Sequence, residues 1–104
     1  MSSFTSVRHV RVGTGTASRA VSSTTSAELL AANGQREGLT VFNDDANTLY
    51  LLFADGTASA TNYTVRVAGG GYVESLPGFV YTGAVNGVWD VDGTGAAQIT
   101  EFTN

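Results

Sequence analysis

The sequence predicts an all-β protein: a β-sandwich or jelly roll of about eight short antiparallel strands, with at most one short helical turn. Three observations carry this. Short apolar or alternating runs recur about every 8–12 residues, separated by turn residues. Thirteen glycines and a single proline punctuate the chain and leave little inside the runs to interrupt a ladder. Residues 36–53 read as a hairpin, because apolar runs on either side enclose the polar stretch Asn43-Asp44-Asp45-Ala46-Asn47.

Taken in order, residues 1–7 form an N-terminal arm carrying Phe4, and residues 8–104 form one β-sandwich domain. Arg8 to Val12 alternates, with Val10 and Val12 on one face. Gly13-Thr14-Gly15 is expected to turn the chain into a polar strand at 16–22, where Ala17, Arg19 and Val21 share a parity. Residues 26–32 have the only helical composition, but a segment so short is not stable alone. It is either one turn or an extended stretch whose Leu29 or Leu30 plugs the core. Asn33-Gly34 is expected to end it in left-handed geometry.

Strands follow at 39–43 and 48–54. The second is apolar on both parities, with Leu49, Leu51 and Phe53 on one face and Tyr50 and Leu52 on the other. One face lines the core, and the other needs a second cover, from the same chain or from a neighbour. Asp55-Gly56 marks a turn, and Tyr63, Val65 and Val67 alternate with Thr64 and Arg66. Gly69-Gly70-Gly71 breaks that ladder. Short strands are then expected at 72–76, 79–82, 88–91 and 97–102, with turns at Pro77-Gly78, Asn86-Gly87 and Asp92–Gly95.

Composition narrows the function. The net charge is −4, all five cations are arginine, and no basic stripe exists, so binding of nucleic acid is not expected. No run reaches membrane-spanning length. The absence of cysteine excludes disulfides and thiolate metal sites within this sequence.

Candidate chemistry is sparse. His9 is the sole histidine, and no Gly-x-Ser-x-Gly motif accompanies it, so an exposed strand histidine is the simpler reading. Asp90-Val91-Asp92-Gly93 starts like a calcium loop, and Glu101 falls at its twelfth position, but the intermediate oxygen ligands are missing. The acids there, like Asn43-Asp44-Asp45, read as turn formers. Neither glycine-rich stretch carries the lysine and following helix of a phosphate loop. Tyr72, Phe79, Tyr81 and Trp89 belong to a core or a protein interface before they belong to a sugar platform. The Asn62-Tyr63-Thr64 sequon carries little weight without a secretory signal. No cofactor and no catalysis are expected.

The stretch from Leu29 to Asp44, centred on Asn33-Gly34-Gln35-Arg36-Glu37-Gly38-Leu39-Thr40-Val41-Phe42-Asn43 and followed by Asn47-Thr48-Leu49-Tyr50-Leu51, resembles a pattern in small structural proteins of tailed-bacteriophage virions. Tyr72–Leu76, Tyr81-Thr82-Gly83 and Val88-Trp89 are similar to the remainder of that pattern, so the resemblance spans residues 10–102. It implies a β-sandwich that serves as a capsid cement or decoration protein, a head fibre or a tail-fibre domain. It also implies assembly by contacts with the major capsid protein and with itself, commonly as a homotrimer, on a virion built in the bacterial cytoplasm. The expected interface residues are Phe4, Tyr50, Leu52, Tyr72 and Trp89. Arg36 is expected to pair in a buried position and order the loop before strand 39–43. The alternative is a tail-fibre or host-receptor module that binds glycan, which aromatic residues clustered on one exposed face would favour.

Overall fold

A computed structural model of the protein describes residues 13–75 and 79–103. The described chain is all β, with eight strands and no helix. In order these are β1 (Thr14–Val21), β2 (Ala27–Leu30), β3 (Arg36–Asp44), β4 (Leu49–Phe53), β5 (Val65–Val67), β6 (Tyr72–Glu74), β7 (Val85–Trp89) and β8 (Ala96–Thr103). They form two four-stranded sheets, ordered β1-β8-β3-β6 and β2-β7-β4-β5. Every pairing is antiparallel.

That order is the jelly roll of the two expected architectures. β4 pairs with β5, β3 with β6, β2 with β7 and β1 with β8, so the chain is one long antiparallel ribbon rolled over itself. The core lies between the layers. Leu39, Val41, Ala97 and Ile99 come from one sheet and Leu49, Leu51, Val67, Val85 and Trp89 from the other. Period-two alternation places these residues inward, because successive side chains on a strand point to opposite faces.

Segment 27–30 is extended, not helical, and both Leu29 and Leu30 pack against the core. Its pairing with the inner strand β7 supplies hydrogen bonds that a single isolated turn lacks. Residues 36–53 are not a hairpin: β3 pairs with β6 and β8 and β4 with β5 and β7, so residues 45–48 carry the chain from one sheet to the other. Three turn expectations are also corrected. Thr14 and Gly15 lie inside β1, where they pair with Thr103 and Phe102. Asn86-Gly87 lies inside β7, where Gly87 is buried against Leu29. A Cβ there would sit 2.6 Å from Leu29 Cδ1, so glycine is present for close approach and not for a turn. Neither Asn33 nor Gly34 is left-handed, since among the described residues only Gly56 and Gly70 have positive φ. The Asn33 carbonyl instead accepts the Arg36 N–H at 3.0 Å, and its side chain accepts the Gln35 N–H. Residues 80–82 are not a strand. Pro77-Gly78, the strand at 8–12 and the arm at 1–7 lie outside the described residues.

Candidate protein-binding face

The outer face of the β1-β8-β3-β6 sheet carries exposed aromatic residues that the core does not use. Directly paired residues share a face, so the ladder register assigns it. Arg19, Gln98, Phe42 and Tyr72 form one row across the four strands. Ala17, Thr100, Thr40 and Glu74 form the next, and Gly15, Phe102 and Gly38 a third. Three aromatic side chains stand on this surface: Phe42 is 40% exposed, Tyr72 60% and Phe102 43%. Exposed Val21 continues the same face on β1.

Local chemistry holds these rings in place. Phe102 lies between two glycines, and a Cβ on Gly15 or Gly38 would touch its ring at 3.4 and 3.7 Å. The ring therefore covers backbone that has no side chain of its own. Tyr72 stands directly opposite Phe42, and its hydroxyl donates to Glu74 Oε1 at 3.2 Å. That hydrogen bond, reinforced by the carboxylate charge, raises the phenol above its ordinary value of 10.0. Arg19 and Glu74 lie at opposite ends of the patch, and its centre is neutral. No protein-family model, no curated protein and no solved structure matches the chain.

The expected interface residues fare differently. Tyr72 stands on this face. Phe4 lies outside the described residues. Leu52 and Trp89 are corrected: they are 5% and 3% exposed and belong to the chain's own interior. The second apolar face of β4 is covered by the chain itself. Residues 54–64 fold back across it, so that Ala58 packs with Leu52 and Val88. The Ala58 N–H reaches Ser26 Oγ at 3.0 Å and ties the flap down beyond β2. Tyr50 is half-buried there, with its ring centroid 5.0 Å from that of Tyr63. Trp89 donates its indole N–H to Asn43 Oδ1 at 3.0 Å. Asn43 in turn donates to the carbonyls of Asn47, Val67 and Ala68, which makes it a satisfied buried hub.

Arg36 is buried and paired, as expected, but its partners are all internal. Its Nε donates to Glu101 Oε2 at 2.8 Å. Its Nη1 donates to the carbonyls of Tyr81 and Gly83, and its Nη2 to that of Ala31. One guanidinium thus gathers β3, β8 and two loops, and it offers nothing to a partner protein.

Of the acids read as turn formers, Asp45 bonds locally to Asn47, whereas Asp90 and Asp92 bridge to loops distant in the chain. Asp90 Oδ1 accepts the Thr48 N–H and Asp92 Oδ1 the Thr24 N–H. Asp45 accepts from the backbone and side chain of Asn47 and from the Gly95 N–H. Among the described residues no group of three His, Cys, Asp or Glu stands where it could hold a metal. His9 lies outside the described residues.

A second apolar feature opens at the side of the sandwich between β5 and β6. This cleft of about 290 Å³ is lined by Leu39, Phe53, Val65, Val73, Phe79 and Tyr81. Phe53 and Tyr81 stack nearly parallel at 5.9 Å, and Phe79 stands at the rim, 77% exposed.

Phe42 and Phe102 are the functional candidates that the sequence reading missed. Their parity was available: Phe42 alternates against Val41, and Phe102 against Ile99. What no single strand shows is that β3 and β8 are neighbours.

Proposed function

We propose that this protein is a structural component of a bacteriophage virion, a capsid cement or decoration protein that binds the major capsid protein through the outer face of its β1-β8-β3-β6 sheet. One observation carries this reading: Phe42, Tyr72 and Phe102 are held exposed on a single neutral-centred face, although a core lies within the same fold to take such residues. The resemblance of residues 29–51 to virion proteins supports it, as does the jelly roll, an architecture shared by viral capsid and lectin domains.

The magnitudes suit a lattice. Covering the exposed parts of three aromatic side chains removes on the order of 300 Å² of apolar surface, roughly 7 kcal/mol gross. Association costs about 4–15 kcal/mol, so one patch holds weakly alone. Repetition over a symmetric shell turns weak contacts into firm attachment.

The test is binding of the purified chain to capsids that lack it, followed by co-sedimentation. Saturable binding that is lost in Phe42→Glu/Tyr72→Glu supports the reading, and equal binding by that variant overturns it. A second reading is favoured by the adjacent Phe42 and Tyr72 rings beside Gln98, Arg19 and Glu74: a host-receptor module that stacks sugar rings on this face. Glycan-array binding that is lost in the same variant, without capsid binding, would select it.

A further inference from the structure

Strand β1 is eight residues long, yet seven of them are exposed and the other is only half-buried. It pairs with β8 along its whole length without a register shift. Among the described residues, nothing pairs with its other edge. A strand stabilised by one ladder and almost no burial contributes little to its own core. Edges of this kind are normally guarded by lysine, proline or a bulge, because free N–H and C=O groups recruit further strands. β1 has none of these guards, and its one charge is Arg19.

We propose that β1 is a self-pairing edge: it pairs antiparallel with β1 of a second copy and joins two four-stranded sheets into one eight-stranded sheet. The proposal rests on the assembly reading above and supplies its self-contact. A twofold axis perpendicular to the sheet keeps both aromatic faces on one side. Centred on Ser18, it sets Ser18 against Ser18 of the second copy, Arg19 against Ala17, Ala20 against Thr16 and Val21 against Gly15. The only charge then faces a small neutral residue, with Arg19 of the second copy at the diagonal position about 7–8 Å away, so no like charges stand directly opposite one another. The sheet's other edge, β6, is three residues long. Head-to-tail pairing of β1 with β6 would therefore form a much shorter ladder than pairing of β1 with itself.

The chain has no cysteine, which makes a covalent test clean. Facing residues of an antiparallel ladder have Cα atoms about 4.5–5.5 Å apart, within the roughly 4.4–6.8 Å that a disulfide requires. Ser18→Cys should cross-link to a dimer under mild oxidation at several times the yield of Thr61→Cys, which lies on the flap over the other sheet. Light scattering should give the wild type twice the chain mass, and Ser18→Lys should be monomeric with an unchanged circular dichroism spectrum. Equal cross-linking by the two cysteine variants, or a dimer retained by Ser18→Lys, would overturn the proposal. A mass of three copies would also overturn it, while leaving the assembly reading intact. Cross-linked dimers that fail to bind capsids would do the reverse, supporting the edge and removing the capsid.

Discussion

Arg36 shows how much one side chain can decide. Its guanidinium is buried, and it satisfies Glu101 and three backbone carbonyls at once. Removing one partner of a buried pair strands the other, at about 3–5 kcal/mol. Arg36→Ala should therefore lower unfolding stability by about that much in a denaturant titration, and Arg36→Lys should recover little, because one ammonium cannot span four acceptors. Asp45 makes a pH prediction. Its carboxyl is held below the ordinary 3.8 chiefly by the Asn47 backbone N–H, against a smaller opposing effect of burial and with help from the Gly95 N–H. A carboxyl depressed by folding stabilises the protein above its ordinary value and loses that contribution as the pH falls through the folded value. Asp45→Asn should accordingly lower the melting temperature at pH 7, and its deficit against the wild type should shrink below pH 3.8.

Among the elements, β4 illustrates what a run of residues can and cannot announce. Its apolar character on both parities correctly implied two covers. That the second cover is residues 54–64 was not legible, because Thr57, Ala58 and Ser59 look like an ordinary polar loop. Only Ala58 is buried, and it is too small to stand out. The consequence is measurable. Leu52→Ala should cost about 2–5 kcal/mol, as a core truncation does, and not merely weaken a contact with another protein. Tyr50→Asp should likewise reduce stability, since it places a charge beside Leu52 and Tyr63 under the flap. A thermal melt of either variant decides the matter.

For the molecule as a whole, the jelly roll separates an apolar core from an outer sheet face that carries Phe42, Tyr72 and Phe102. Phe42→Glu/Tyr72→Glu acts on exposed side chains, so its melting temperature should stay within a few degrees of the wild type, and under the proposed function its binding to capsids should fall at least tenfold. Sedimentation and a thermal melt on the same sample distinguish lost binding from lost fold.

Sequence patterning alone was enough for the all-β class, the antiparallel sandwich and the need of β4 for two covers. These follow from period-two patterning and local turn chemistry, which neighbouring residues carry within themselves. Only the tertiary structure decided that Trp89 and Leu52 are interior, that segment 27–30 is a strand, that Gly87 is a contact rather than a turn, and that Phe42, Tyr72 and Phe102 share one surface. Each of these depends on which distant strand lies alongside. Rolling the ribbon sets β8 between β1 and β3, a pairing across more than fifty residues of chain that no local pattern encodes.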